Sequence, residues 1–247
     1  MRTSARGWVL GAGLMLAALP LATTAPATGA APAALAPVTQ ADWQMNEPSG
    51  ATVMVDGSGN GNNGTIDQAG LDTGYVVNGA TGYNWLRRPP NDPPASPERV
   101  IVVPDRSNAS LDPVNDTYTV EIRYRTKEKF GNIIQKGQAT SVGGQWKIQN
   151  PQGRPSCLFK SPTGQGAVRS QIALNDQQWH TLTCVRTPTE VQMYIDGVFH
   201  GRKRGATGTI NNTKPITIGG KLDCDQIDVT CDYFSGQIDY VKITKGA

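Results

Sequence analysis

The polar loop from Asp56 to Asp67 has the spacing of a calcium-binding loop. Its sequence, DGSGNGNNGTID, places oxygen-bearing side chains at the first, third and fifth positions, occupied by Asp56, Ser58 and Asn60, and a glycine at the sixth. Ca²⁺ binds several oxygen ligands, and a glycine at that position permits the sharp turn such loops need. With Asn62 as a further donor, the loop predicts one structural calcium ion. The alternative is a Gly-Asn turn whose side chains hydrogen-bond to their own backbone.

A second group of residues has the chemistry of a sugar-binding site. Sugar recognition commonly combines an aromatic ring for the apolar side of a pyranose with Asn, Asp or Arg groups for its hydroxyls. The candidates are Tyr83, Asn84, Trp85 and Arg87, at the start of a proline-rich segment, and Tyr233 further along the chain. We predict that the proline-rich segment is a surface loop, because proline is excluded from central strands. The alternative role of the aromatic candidates is packing in the core.

The sequence lacks the residue patterns typical of hydrolytic catalysis. Glycoside hydrolases of β-sandwich folds carry paired acids on one strand face, because a nucleophile and an acid must flank one glycosidic bond. Glu121 alternates instead with Arg123 and Arg125, and no GxSxG elbow occurs for a serine nucleophile. His180 follows a tryptophan in a pattern that favours packing. We therefore expect a protein without catalytic residues.

The chain contains four cysteines, Cys157, Cys184, Cys224 and Cys231. Their spacing does not match a zinc site, and an exported chain favours disulfides because its surroundings are oxidising. Three pairings are formally open. Because Cys224 and Cys231 bracket a short loop, we predict a local bridge there, which leaves Cys157 to pair with Cys184 on strands expected to lie close within one sheet.

Alternating apolar and polar residues predict strands and almost no helix. The segment Tyr118 to Arg125 shows the two-residue period of a half-buried strand, and Asp196-Gly197 between two such runs is the signal of a type I′ hairpin. Many short strands separated by glycine and proline indicate an all-β sandwich or barrel. Further strands are predicted at Asn132–Gln135, Gln145–Gln149, Cys157–Lys160, Val168–Ile172, Trp179–Arg186, Val191–Ile195, Val198–His200, Pro215–Gly219 and Gly236–Thr244.

Segments spread from Trp43 to Thr244 give the chain a family resemblance. Trp43 to Gly50 (WQMNEPSG), followed by the loop DGSGNGNNGT, resembles the opening of laminin-G-like, concanavalin A-like jelly-roll domains. The remaining segments follow in the order of that family: Leu111-Asp112-Pro113, Ile134 to Gly137 (IQKG), Trp179-His180, Tyr194 to Gly197 (YIDG) and Phe234 to Val241 (FSGQIDYV). In detail the chain resembles the single-domain exported versions found in actinobacteria.

The resemblance implies a fold, a site and a class of function. It implies two antiparallel sheets packed face to face as a jelly-roll β-sandwich, and a binding module more often than an enzyme. In the family, an aspartate of the final strand joins the N-terminal loop in holding calcium, and here that residue is Asp239. The family's strand positions also imply that Trp43, Trp146 and Trp179 belong to the core. The function expected is lectin-like recognition of an extracellular or cell-wall carbohydrate, with protein binding as the alternative and a glycoside hydrolase of the same fold as the third.

The N-terminus predicts export. Arg2 and Arg6 precede an apolar run from Gly7 to Ala22 that is followed by small residues, which is typical of a signal peptide. A membrane anchor is the alternative interpretation. We assign residues 1–25 to the signal peptide, with cleavage between 25 and 36, residues 26–40 to a disordered Ala/Pro-rich leader, and residues 41–247 to the laminin-G-like domain. The protein is accordingly expected to be secreted.

Charge narrows the choice of partners. Once Arg2 and Arg6 are set aside, the chain carries 21 basic and 20 acidic residues, so the predicted domain is almost neutral. It has no basic stripe interleaved with aromatic residues, which nucleic-acid binding would favour. We expect a polysaccharide or glycoconjugate as partner, a protein as the alternative, and neither nucleic acid nor a membrane span.

Overall fold

Sixteen β-strands and one short 3₁₀ turn, Pro151–Gly153, make up the regular structure of the described residues. The computed structural model describes residues 36–67, 70–86, 100–108, 110–222 and 232–246, together with residues 1, 3 and 7. The strands form two antiparallel sheets that enclose a single main core. The predicted fold class, an all-β two-sheet sandwich, is confirmed.

Sheet A has the order β14-β13-β12-β7-β16-β5-β4, and β1 pairs with the second half of β16. The central strand is therefore β7. The strands of sheet A are β1 (Val38–Trp43), β4 (Leu71–Val77), β5 (Ala80–Trp85), β7 (Tyr118–Arg125), β12 (His180–Arg186), β13 (Glu190–Ile195), β14 (Val198–Arg204) and β16 (Gly236–Lys245).

Sheet B has the order β11-β10-β9-β8-β15-β6-β3-β2 and covers the other side of the core. Its strands are shorter on average than those of sheet A. They are β2 (Val53–Met54), β3 (Gly64–Ile66), β6 (Ile101–Val103), β8 (Asn132–Lys136), β9 (Gln145–Gln149), β10 (Ser156–Lys160), β11 (Gln165–Arg169) and β15 (Ile216–Ile218).

Strand β7 shows how the sequence pattern builds the core. Tyr118, Val120, Ile122 and Tyr124 are fully buried, while the residues between them are partly exposed on the other face of sheet A. Successive side chains of a strand point to opposite faces, so the alternation read from the sequence sorts this strand into a core side and a solvent side. Each buried aliphatic or aromatic side chain stabilises the sandwich by about 1.5–3 kcal/mol.

Two Asx-Gly turns close hairpins of sheet A. Asp196 and Gly197 join β13 to β14 with φ values of 50° and 77°, and Asn78 and Gly79 join β4 to β5 with φ values of 51° and 80°. Positive φ at both central residues is the requirement of a type I′ turn, which aspartate, asparagine and glycine meet at low cost. The first hairpin was predicted. The second carries the same signal in its sequence, Asn78-Gly79, and was not predicted.

A cross-sheet disulfide corrects the predicted topology. Cys157 pairs with Cys184 as expected, with the two Cα atoms 5.9 Å apart. Cys157 lies on β10 of sheet B, however, and Cys184 on β12 of sheet A, so the expectation that both lie in one sheet is wrong. Both residues are fully buried in the core. The chain between them leaves sheet B after β11 and enters sheet A at β12. The bridge therefore fastens the two sheets together.

A buried ion pair ties the loop before β7 to β8. The ammonium of Lys136 is fully buried and lies 2.8 Å from Asp112 Oδ1 and 2.8 Å from Asp105 Oδ1. The Asp112 carboxylate also accepts a hydrogen bond from the backbone N–H of Asn212 at 3.1 Å. Buried charges need such partners, and Asp112 and Lys136 stand in the two family-like segments LDP and IQKG.

Strand β11 begins and ends three residues earlier than predicted, at Gln165–Arg169 rather than Val168–Ile172. The Ser161 hydroxyl accepts hydrogen bonds from the N–H groups of Thr163 and Gly164, which tightens the β10–β11 turn. The Ser170 hydroxyl then bonds both the N–H and the carbonyl of Ile172, forming a turn where the strand had been expected to continue. Local side-chain bonds of this kind compete with strand pairing.

Several predictions lie outside the described residues. They are the signal peptide and most of the leader, the proline-rich segment with Arg87, and the bridge between Cys224 and Cys231. They remain predictions. Within the described ranges, no helix has the length and apolar character needed to cross a bilayer.

Candidate functional site

The outer face of sheet A, meaning the face turned away from the core, carries charged and hydrogen-bonding side chains. Glu121, Arg123 and Arg125 follow one another at two-residue spacing along the central strand β7. They are directed outward because Val120, Ile122 and Tyr124 between them are buried. Strand alternation alone thus places two arginines and a glutamate in one line on this face.

A row of hydrogen bonds crosses four strands at one end of this face. The register of sheet A sets Arg125 of β7 opposite Gln237 of β16, and Gln237 opposite Asn84 of β5. Arg125 Nε donates to Gln237 Oε1 at 2.6 Å, and Gln237 Nε2 donates to Asn84 Oδ1. Asn84 Nδ2 in turn donates to Asp72 of β4 at 3.4 Å. The row fixes the side-chain orientations of the two amides and the guanidinium.

A β-bulge in β16 produces a second row of side-chain contacts on the same face. Strand β16 shifts register between Ile238 and Tyr240, so Asp239 and Tyr240 are both partly exposed instead of alternating. Asp239 forms an ion pair with Arg123. The Tyr240 hydroxyl donates to Glu121 at 2.9 Å, and burial followed by this contact raises the pKa of Tyr240. Bulges of this kind redirect side chains, and here the bulge brings two to the outer face.

Trp179 lies beside the two arginines and corrects another expectation. It was expected in the core, but it is partly exposed, with the guanidinium carbons of Arg123 and Arg125 at 5.0 Å and 5.7 Å from its ring centroid. These are cation–π distances. The loop holding Trp179 is fastened to the end of β7, because the Gln177 N–H donates to the Thr126 carbonyl at 3.1 Å. The tryptophan therefore helps to orient the arginines.

A cleft of about 240 Å³ opens at the end of the first row. Its walls come from the ends of β5, β7 and β16 and from the loop before β12, and its polar side chains include Asn84, Arg125, Lys127, Glu128, Gln177 and Gln237. Planar amides and a guanidinium present several hydrogen-bond donors and acceptors in fixed directions. Such a wall can bind the hydroxyl and carboxylate groups of a polar ligand.

The predicted sugar-binding residues separate into two groups. Asn84 and Trp85 line the cleft, although Trp85 is 1% exposed and packs edge-on against Phe234 in the core. Tyr83 is fully buried and its hydroxyl donates to Glu47. Tyr233 packs against Val100 in a separate small cluster. Of the predicted side chains, the structure brings Asn84 and Trp85 to the cleft and places Tyr83 and Tyr233 elsewhere.

Arg125, Gln177 and Gln237 line the cleft and were not among the predicted binding residues. Arg125 and Gln237 could have been predicted, because they stand at outward positions of strands that the sequence predicts. No sequence pattern points to Gln177, since it lies in a loop whose position depends on how β12 packs against β7. The aromatic candidates Tyr83, Trp85 and Tyr233 are buried, since a tryptophan or tyrosine is as suited to a core as to a binding surface.

Asp56 organises the predicted calcium loop through hydrogen bonds. Its carboxylate accepts from the backbone N–H groups of Asp42 and Ser58 at 2.9 Å and of Asn62 at 2.8 Å, and from the Ser58 hydroxyl at 2.8 Å. Burial alone would raise the pKa of Asp56, but these bonds together outweigh it and hold the pKa below its usual value. Three of the four hydrogen bonds come from Ser58 and Asn62 of the loop itself, as in a self-bonded turn, and the fourth comes from Asp42 of β1.

The other predicted calcium ligands are also engaged. The amide nitrogens of Asn60 and Asn62 donate to the carbonyl of Gln40 at 3.1 Å and 2.8 Å, and Asp239 faces Arg123. Asn62 Oδ1 is a buried oxygen for which the structure shows no donor. The Asp56 carboxylate already accepts four hydrogen bonds, whereas a calcium ion needs several free oxygens, so the calcium ion stays a prediction. No group of three or more acidic, histidine or cysteine side chains suited to a metal occurs in the described parts of the chain.

His180 links the WH and YIDG segments through two aspartates. Its Nδ1 lies 2.8 Å from Asp196 Oδ2, and its Nε2 lies 3.2 Å from Asp176 Oδ1. Burial would lower the pKa of His180, but the hydrogen bonds and charges of Asp196 and Asp176 together raise it. The Thr181 N–H also donates to Asp196 at 2.8 Å. The imidazole therefore fastens the hairpin turn to the start of β12.

Comparison with solved structures identifies similar folds at low sequence identity. Domain 4 of AbnA, a GH43 extracellular arabinanase from Geobacillus stearothermophilus solved in complex with arabinotriose, is 16% identical, with a TM-score of 0.58 over 85% of this chain and 94% of that domain. The binding domain of Paraclostridial Mosquitocidal Protein 1 is 15% identical, with a TM-score of 0.53 over 82% of this chain and 49% of that one. The binding domain of botulinum neurotoxin serotype G is 12% identical, with a TM-score of 0.58 over 85% and 47%.

These identities establish a shared fold and no more. The chain spans about half the length of the two toxin binding domains. The family model Laminin_G_3, described as the concanavalin A-like lectin/glucanases superfamily, matches residues 100–247, which is more than half of the chain and includes β6 to β16. The chain therefore belongs to the laminin-G-like family of the concanavalin A-like lectin/glucanase superfamily.

Proposed function

We propose that this protein is a secreted, non-catalytic module that binds a carbohydrate in the cleft at the end of sheet A. The observation that carries the proposal is the row formed by Asn84, Gln237 and Arg125, whose planar side chains are hydrogen-bonded to one another at the wall of the cleft. A rigid set of donors and acceptors loses little side-chain entropy when a ligand binds.

The size and openness of the cleft suit one unit of a longer saccharide. Clefts for drug-sized ligands usually measure about 300–1,000 Å³. The value of about 240 Å³ in this protein is smaller. Support for the ligand class comes from the arabinanase domain of the same fold, which was solved with arabinotriose. A saccharide is therefore the first class of ligand to test.

Two substitutions and one matched control test the proposal. Gln237→Ala removes the middle of the row, and Asn84→Ala removes its β5 end. Gln192→Ala on β13 removes a glutamine from the same face of sheet A, away from the cleft lining. On an array of neutral and acidic extracellular glycans, we expect wild type and Gln192→Ala to bind the same glycans. Gln237→Ala and Asn84→Ala are expected to lose at least about tenfold in affinity, or about 1.4 kcal/mol.

Two outcomes would contradict the proposal. If all four proteins give the same array pattern, the ligand does not occupy this cleft. If no glycan binds to wild type, the carbohydrate proposal fails. Trp85→Ala, an obvious choice from the sequence, is unsuitable because Trp85 is buried and its removal costs about 3–5 kcal/mol of stability.

A protein partner is the second candidate, favoured by exposed apolar residues at the β13–β14 hairpin. Val198 and Phe199 are 62% and 51% exposed. They lie on β14, the strand at the end of sheet A, and exposed aromatic residues are frequent anchors of protein interfaces. Phe199→Ala discriminates between the candidates, because it should weaken a protein complex and leave glycan binding unchanged.

A further inference from the structure

We propose that the cleft selects an acidic saccharide and that Arg125 binds its carboxylate. This inference rests on the proposed function and names the class of ligand. It follows from the hydrogen bonding of the Arg125 guanidinium, the charges around the cleft and the ion pair that, within the described residues, the neighbouring Arg123 makes and Arg125 does not.

The guanidinium of Arg125 is oriented, and part of it is left for a ligand. Its Nε donates to Gln237 Oε1 at 2.6 Å, and its carbon lies 5.7 Å from the Trp179 ring centroid. Its two terminal nitrogens make no hydrogen bond within the described part of the chain, and Arg125 lines the cleft. A guanidinium presents parallel N–H donors that match the two oxygens of a carboxylate.

Arg123, two residues earlier on the same strand, shows the contrasting arrangement. Its Nη1 is paired with the Asp239 carboxylate, which the β16 bulge brings to the outer face. Arg125 has no carboxylate within ion-pair distance among the residues that the structure describes, although its side chain is partly covered. Partial burial of an unneutralised cation is costly, and an anionic ligand would remove that cost.

The described lining residues of the cleft carry more positive than negative charge. Among its described lining residues, Arg125 and Lys127 are basic, and Glu128 is the acidic one. The amides of Asn84 and Gln237 remain suited to hydroxyl groups beside the charged position. A neutral sugar would satisfy the amides and leave the guanidinium without a counter-charge, whereas a uronic acid satisfies both.

Matched pairs of oligosaccharides provide the test. The probes are galacturonate, glucuronate, mannuronate and guluronate oligosaccharides, each beside its carboxyl-reduced neutral counterpart. Binding is measured by titration calorimetry at low and physiological salt for wild type, Arg125→Gln and Arg204→Gln. Arg204 is the control, because it is an arginine of β14 whose side chain is 73% exposed and does not line the cleft.

We expect at least one uronic-acid oligosaccharide to bind at least about tenfold more tightly than its reduced counterpart, since charge-assisted bidentate bonds are the strong ones. Arg125→Gln should abolish that difference, and Arg204→Gln should preserve it. Equal binding of acidic and reduced forms, or an equal loss of both in Arg125→Gln, would overturn this inference and leave the carbohydrate proposal standing. Failure of every glycan, neutral or acidic, to bind would overturn the carbohydrate proposal itself.

Discussion

Removing the Cys157–Cys184 bridge should destabilise the sandwich by about 3.5 kcal/mol. The bridge joins residues separated by 27 positions and connects sheet B to sheet A. In the chain-entropy model the cross-link removes about 2.1 + 1.5R ln n cal/mol/K from the unfolded chain, and n of 27 gives about 12 cal/mol/K, or about 3.5 kcal/mol at 25 °C. Cys157→Ala/Cys184→Ala is the perturbation, and the two small buried cavities it leaves add to the loss.

Urea unfolding followed by tryptophan fluorescence measures the effect. The double variant should have a lower midpoint and a larger m-value, because its unfolded chain is less restricted and exposes more surface. The single variant Cys184→Ala breaks the same bridge and should lose nearly as much stability as the double variant. A loss below about 1 kcal/mol with an unchanged m-value would refute the argument that this bridge restrains the unfolded chain.

Three further perturbations probe the polar framework. Asp112→Asn removes one of the two carboxylates that compensate the buried Lys136 ammonium. Because Asp105 remains, the change should cost about 1.5–3 kcal/mol in urea unfolding, and a loss below about 1 kcal/mol would show that Asp112 is dispensable. The pKa of His180 is raised in the folded protein, so its ion pairs stabilise the fold fully below the unfolded pKa of 6.5. That stabilisation is lost as the pH rises through the folded pKa. The melting temperatures of His180→Gln and wild type should therefore differ at pH 5 and converge at pH 9. Asp56→Ala leaves three backbone N–H donors without an acceptor and should cost about 3 kcal/mol or more of unfolding free energy. EGTA should leave the wild-type melting temperature unchanged, and a lower melting temperature with EGTA would support the calcium hypothesis.

The sequence was a good guide to the fold where one strong local pattern was sufficient. The alternation in Tyr118 to Arg125 predicted β7 and its buried face, and Asp196-Gly197 predicted the β13–β14 hairpin. The sequence was a poor guide to sheet membership. Cys157 and Cys184 were paired because the local bridge predicted for Cys224 and Cys231 leaves them to each other. Their places on opposite sheets depend on where the intervening chain crosses the sandwich, which residue spacing does not indicate.

The site was harder to predict because it forms between strands that are distant in sequence. Arg125 and Gln237 meet only after β16 pairs with β7, and Asn84 joins them only through β5. Trp179 was expected in the core, yet the loop before β12 places it on the outer face. The loop of Asp56 has the spacing of a calcium site, but the donors that satisfy its carboxylate include a backbone N–H of β1, which lies outside the loop.

The most direct test of the binding site is an NMR titration of the protein with the tightest-binding oligosaccharide from the glycan array. Side-chain signals of Asn84, Gln237 and Arg125 Nε–H should shift together, because the row of hydrogen bonds joins them at the wall of the cleft. Signals of the β13–β14 hairpin around Phe199 should not change. Shifts confined to that hairpin, or to the loop of Asp56, with no change at Asn84, Gln237 and Arg125, would contradict the proposal that the cleft of sheet A is the carbohydrate site.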